Sequence, residues 1–244
     1  MNVRRVLGCA CGMLAVASVL CWMGCGKKEP PAPAKQPAQQ KPVEPKYKTL
    51  VEAAAAGDMA DIKRYVAHGA EVNAKDAEGR AAIHVAARSG SKDAVEFLIA
   101  KGADVNAADG KGMCALQSAA AGGQKEMVLL LLEKGAKLDA ADADGWTALH
   151  HTVPKSRTEV AALLIEKGAN VNAADAGGST PLHAAATLGK ADMVTLLLDK
   201  GADMNVKNAA GQTALDLAIN VPQQEIVDLL KQRAAAAGTP APKL

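Results

Sequence analysis

Residues 178–186 read Gly178-Ser179-Thr180-Pro181-Leu182-His183-Ala184-Ala185-Ala186, and residues 201–205 close the same unit with Gly201-Ala202-Asp203-Met204-Asn205. Asp175, three residues before Gly178, and the glycine itself fit the two ends of a type I turn. Thr180 follows as a residue able to cap free N–H groups, with Pro181 suited to the first helical position. Gly189 then breaks the first helix. A second helix opens on Asp192 and closes on Lys200, signs that complement the helix dipole at both ends.

Working outward from this stretch, the pattern recurs every 33 residues. Gly69-Ala70, Gly102-Ala103, Gly135-Ala136, Gly168-Ala169 and Gly201-Ala202 form one column, and Gly79, Gly112, Gly145, Gly178 and Gly211 form another. Apolar columns keep the period: Leu50, Ile83, Leu116, Leu149, Leu182 and Leu215, and likewise Tyr65, Leu98, Leu131, Leu164, Leu197 and Leu230. Turn-opening Asp76, Asp109, Asp142, Asp175 and Asn208 stand in register, as do the paired alanines Ala86-Ala87, Ala119-Ala120 and Ala185-Ala186. A fixed period of this length marks a solenoid, in which each unit buries its apolar face only against its neighbours.

The run at 178–186 resembles the ankyrin-repeat signature G-x-T-P-L-H-x-A-A, and endings such as that at 201–205 resemble its G-A-D-V-N. The resemblance covers about residues 49–233 and implies an all-α ankyrin-repeat solenoid of stacked helix-turn-helix units joined by β-turn or hairpin loops. The boundaries follow the columns: an N-terminal cap at 49–74, full repeats at 75–107, 108–140, 141–173 and 174–206, a closing repeat at 207–233, and a disordered tail at 234–244. Thr49-Leu50-Val51-Glu52 has the pattern of a capping box. Two departures carry expectations. Ala81 and Cys114 replace the capping Thr, a loss of about 1 kcal/mol each. Pro154, in Thr152-Val153-Pro154-Lys155-Ser156, is expected to shorten the first helix of the third repeat and make the middle of the array irregular.

The N-terminus reads as an address. Arg4 and Arg5 precede an uncharged run from Val6 to Met23, then Gly24-Cys25. The segment 1–24 resembles a bacterial lipoprotein signal, which implies lipidation at Cys25 and a place in the bacterial cell envelope, facing periplasm or exterior. Trp22 stands at −3, where the family has a leucine-like residue. The alternative is an uncleaved single-pass anchor, since 18 residues is just long enough to span. Residues 25–48 read as a Pro/Lys-rich linker with Pro30, Pro31, Pro33, Pro37, Pro42 and Pro45, net charge +4 over 26–48. Extended, it would reach roughly 70 Å.

Composition narrows the function. The 244 residues include only five aromatics, Trp22, Tyr47, Tyr65, Phe97 and Trp146, too few for a base-stacking surface. Residues 49–233 hold 19 Lys+Arg and 24 Asp+Glu, a net charge of −5 that disfavours nucleic acid. Cys114 stands alone beyond residue 25 and reads as a buried or half-buried thiol without an intramolecular bridge. His84, His150 and His183 occupy the motif position that in the family hydrogen-bonds within the repeat. The adjacent His150 and His151 point roughly 100° apart on a helix, a poor metal pair. Asp142, Asp144 and Gly145 resemble part of a calcium loop, yet Val153 stands where its bidentate Glu belongs. No phosphate loop and no nucleophile–base arrangement lies outside the repeat columns, so catalytic, cofactor and metal sites are all expected to be absent.

What remains is a surface. The ankyrin resemblance implies partner contacts from non-consensus positions on turn tips and first helices: Glu78, Arg80 and Arg88, Lys111 and Met113, Asp144, Trp146 and Lys155, Ser179 and Leu188, and Gln212 and Asn220. Trp146 stands out because its column otherwise holds Arg80, Met113, Ser179 and Gln212, so the core does not demand it. It either meets a partner or packs onto Pro154 and the irregular third repeat. The expected function is a non-catalytic protein–protein interaction module, monomeric, binding a protein through the concave face and tethered to an envelope membrane. The alternatives are an envelope spacer or scaffold, or an accessory regulator or protector of a periplasmic enzyme.

Overall fold

Gly79 sets the spacing of the array. Its φ is +74°, and a Cβ there would lie 2.5 Å from the backbone N of Gly110, on the turn tip of the next repeat. That close approach lets Gly110 N–H donate to Glu78 O at 3.2 Å, and the bond repeats from tip to tip: Ala143 to Lys111, Ala176 to Asp144 and Ala209 to Gly177, all at 2.9–3.0 Å.

The computed structural model describes residues 45–220 and 223–236. The expected signal segment, Cys25, almost all of the linker and residues 237–244 lie outside the described residues. Twelve helices and no strands are found among them. Each repeat contributes a pair: α1 Leu50–Ala56 with α2 Met59–Ala67, α3 Ala82–Ser89 with α4 Lys92–Ala100, and α5 Ala115–Gly122 with α6 Lys125–Glu133. Then come α7 Ala148–Thr152 with α8 Thr158–Glu166, α9 Pro181–Thr187 with α10 Ala191–Asp199, and α11 Ala214–Asn220 with α12 Gln224–Ala236. First helices stack on first helices and second on second, in two layers. The fold is the all-α ankyrin solenoid implied by the sequence. Lys75 and Ala81 form an isolated antiparallel bridge at the base of the first full turn.

The apolar columns lie between the layers. Ile83, Leu98, Leu116, Leu131, Leu149, Leu164, Leu182 and Leu197 are fully buried, and the alanine pairs Ala86-Ala87, Ala119-Ala120 and Ala185-Ala186 are fully enclosed at the helix–helix contacts. A buried side chain of this size contributes about 1.5–3 kcal/mol, so each repeat is held chiefly by its neighbours. The turns behave as read. Asp76, Asp109, Asp142, Asp175 and Asn208 each accept, through Oδ1, the N–H groups two and four residues on.

Three features depart from the sequence reading. The cap reaches back beyond Thr49: Asp61, almost fully buried, accepts Lys46 N–H at 2.7 Å and Tyr47 N–H at 3.3 Å and pairs with Arg64. Glu52 closes the capping box one residue earlier than the pattern implies, on Lys48 N–H, while Thr49 Oγ1 accepts Glu52 N–H. At the other end, α12 continues to Ala236 with Ala234 buried, past the boundary at 233.

The third repeat is irregular, as Pro154 implies. Its first helix has five residues, against seven or eight in the others. Ser156 occupies the column of Gly57, Gly90, Gly123 and Gly189 and carries φ +52°, the one non-glycine in the left-handed region among the described residues. The buried core divides here. Ala148, Val160, Leu163 and Leu164 belong to the N-terminal cluster, whereas Leu149, Val153 and Ala161 belong to the C-terminal one.

Candidate protein-interaction site

The column His84, Gln117, His150, His183 and Asp216 ties each turn to its helix, and Gln117, His150 and His183 also bond the repeat that follows. In repeat three, His150 Nδ1 lies 3.2 Å from Thr147 N and 3.0 Å from Thr147 Oγ1. Since Nδ1 accepts the backbone N–H, Nε2 carries the ring proton and donates to Ser179 O at 3.2 Å, in the next repeat. His183 repeats this with Thr180 and Gln212 O. His84 accepts Ala81 N–H and bonds Ala107 O. Gln117 does the same work with an amide: its Oε1 accepts Cys114 N–H at 2.6 Å, and its Nε2 donates to Ala140 O and Trp146 O at 2.9 and 2.7 Å.

This network corrects the expectation for Ala81 and Cys114. The hydroxyls of Thr147 and Thr180 turn to the histidine ring and not to a free helix N–H. What serves the cap position is its own N–H, bonded by the His or Gln three residues on, and Ala81 and Cys114 keep that bond. Cys114 is buried. At the closing repeat Thr213 does cap its helix, accepting Asp216 N–H, and Asp216 accepts the N–H and hydroxyl of Thr213. Those two bonds hold the Asp216 carboxyl below the usual range. Burial pushes the His150 imidazole below its usual value, more than its bond to Ser179 O restores.

On this framework the predicted partner residues all reach the surface. Glu78, Arg80, Arg88, Lys111, Asp144, Lys155, Leu188 and Asn220 are exposed, and Met113, Trp146, Ser179 and Gln212 are half-buried. Among the described residues Leu188 is one of two large apolar side chains left exposed; the other, Ile219, escaped sequence reading. Ile219 follows the column Ala87, Ala120, Val153 and Ala186, which is buried in every other repeat, so its type alone signals a core position. It lies at the end of α11, the last first-layer helix.

Glu78, Arg80, Arg88, Lys111 and Met113 come together around one cleft of about 400 Å³ between repeats one and two, with His84 and Val85 among the other lining residues. Arg80 is fixed there by Asp76 at 2.8 Å and Glu78 at 3.2 Å. Partial burial raises the Asp76 carboxyl, but the Arg80 guanidinium and the Arg80 and Glu78 N–H groups outweigh it and hold it below its usual range. Trp146 belongs to a second centre. Its ring stacks on His150, centroids 5.9 Å apart, and tilts against His151 at 5.3 Å. His151 Nε2 lies 2.7 Å from Asp142 Oδ2. The two histidines therefore diverge, one into the core and one along the surface. Among the described residues no three His, Cys, Asp or Glu side chains are placed to hold a metal ion.

Constant columns buried as a scaffold, with variable columns exposed along one face, define a repeat-built recognition solenoid. The profile of ankyrin repeats, three copies long, matches at residues 50–142, 109–175, 136–208 and 175–239, and the chain belongs to the ankyrin-repeat family. No curated protein matches the sequence. Ankyrin repeats are typically non-catalytic modules for protein–protein interaction, and they generally bind protein partners. Among the described residues no helix is long and apolar enough to cross a membrane.

Proposed function

We propose that this chain is a monomeric, non-catalytic binding array. It holds one protein partner along the face of turn tips and first helices, and is tethered through a lipid on Cys25 to a bacterial envelope membrane. The observation that carries the binding reading is the contrast between columns. His150 and Gln117 stand in one column and make equivalent bonds within the scaffold, whereas Arg80, Met113, Trp146, Ser179 and Gln212 share one column with five different side chains at the surface. Residues that vary on an invariant frame are the ones free to match a partner. The tether reading rests on the Arg4-Arg5, apolar run and Gly24-Cys25 order of the sequence. A basic linker would lie near anionic headgroups while an array of net charge −5 stands off them.

Cross-linking the native protein in its envelope, followed by capture, tests both. One stoichiometric protein, lost in a folded Trp146→Ala variant, supports the binding reading. Recovery of lipids and abundant proteins alone, unchanged by the substitution, refutes it in favour of a spacer. Palmitate labelling that persists in Cys25→Ser refutes lipidation at Cys25.

A further inference from the structure

Within the array of net charge −5, the cleft between repeats one and two is cationic. Of the charges that line it, Arg80 and Glu78 are spent on each other and on Asp76. Asp109 uses Oδ1 to hold the N–H groups of Lys111 and Met113. The Arg88 guanidinium and the Lys111 ammonium, both exposed, have no ion-pair or hydrogen-bond partner among the described residues. They face a cavity whose other walls include half-buried Met113 and buried Val85. The matching positions of later repeats lose this character. The Lys111 column continues as Asp144, Gly177 and Ala210, and the Arg88 column as Ala121, Pro154, Thr187 and Asn220.

We infer that this cleft is a carboxylate subsite, in which Arg88 and Lys111 receive an acidic side chain of a partner peptide while Met113 and Val85 take its aliphatic stem. The inference rests on the reading of the array as a protein-binding module and specifies the chemistry of its partner at one end. Two exposed cations beside an apolar patch suit a group that carries one charge on a short hydrocarbon chain, because the guanidinium and ammonium pair the charge while Met113 and Val85 meet the stem. A long polyanion meets the opposite situation. Beyond this cleft it must run along a surface with excess Asp and Glu, which repels it over its length.

Fluorescence anisotropy of the full chain with a labelled, Leu-centred Glu/Asp peptide tests this against the same peptide with Gln/Asn. The acidic peptide is expected to bind about ten-fold more tightly. The double variant Arg88→Gln/Lys111→Gln should abolish that preference. Lys125→Gln/Lys134→Gln, which removes the same charge from the exposed ends of α6, should keep it within about two-fold. Both substituted pairs are exposed, and circular dichroism checks their fold. Equal binding of the two peptides overturns the inference, as does no binding of either, or equal loss in both double variants. Tighter binding of heparin than of the acidic peptide overturns it in favour of a polyanion site. If a captured partner is lost in Trp146→Ala but retained in Arg88→Gln/Lys111→Gln, the carboxylate subsite fails and the binding module stands.

Discussion

Replacing His150 isolates the bond that links one repeat to the next. His150 is fully buried; its Nδ1 serves Thr147 N–H and its Nε2 donates to Ser179 O. His150→Ala leaves Thr147 N–H without a partner, at about 1–3 kcal/mol, and takes from Ser179 O one of its two donors, the other being Asp175 N–H at 2.9 Å. With the cavity, the loss amounts to about 3–5 kcal/mol. For a domain of this size that lowers the melting temperature by about 10 °C. His150→Gln should lose under about 1 kcal/mol, because Gln117 makes the equivalent bonds in repeat two at 2.6–2.9 Å. His150→Asp should be as damaging as alanine. A carboxylate can accept Thr147 N–H, as Asp216 accepts Thr213 N–H, but has no proton for Ser179 O. Asp216 tolerates this because no further repeat follows it among the described residues. Urea unfolding of the full chain, followed by circular dichroism, measures all three. An aspartate variant as stable as the glutamine variant would refute the linking role of the Nε2 proton.

The same histidine makes stability depend on pH. Its folded value lies below the ordinary 6.5, so its contribution is complete above about pH 6.5 and is lost as pH falls through the folded value. Melting temperatures at pH 7.5 and 5 should therefore differ less for His150→Gln than for the parent, and equal differences would contradict it. Ser156→Gly removes a left-handed conformation that costs about 1–2 kcal/mol and adds about 0.5–1 kcal/mol of glycine entropy. A thermal melt should rise by about 2 °C, and a fall would show that the serine is not strained. Because the core divides at the third repeat, amides of α9–α12 should exchange as a unit, with opening about 1–2 kcal/mol easier than for α3–α6. Uniform protection across α7 would count against that seam.

The fold was legible in the sequence because a 33-residue period repeats every local signal: Asp76 and Gly79 for a turn, Gly90 for a helix end, Asp93 and Lys101 for the second helix. Short-range chemistry decides these, and six registers make each signal redundant. Pro154 betrayed the short α7 for the same reason. The candidate face was legible only as columns. That Glu78, Arg88, Lys111 and Met113 share one cleft, with Arg80 spent on Asp76 and Arg88 unpaired among the described residues, depends on how two repeats stack.

The sequence by itself determined the repeat, its two helices and its turn, since these follow from backbone preferences within a dozen residues. Only the tertiary structure decided that the motif histidine, and not the threonine before it, serves the N–H of the cap residue, and that Gln117 makes the equivalent bonds in its place. Tertiary packing also drew Lys46 and Tyr47 into the cap through Asp61 and set Trp146 on His150 and His151. In each case a polar or aromatic group is satisfied by a neighbour that the local pattern does not specify. Burial leaves such a group no water to fall back on, so the packing of the folded chain chooses its partner.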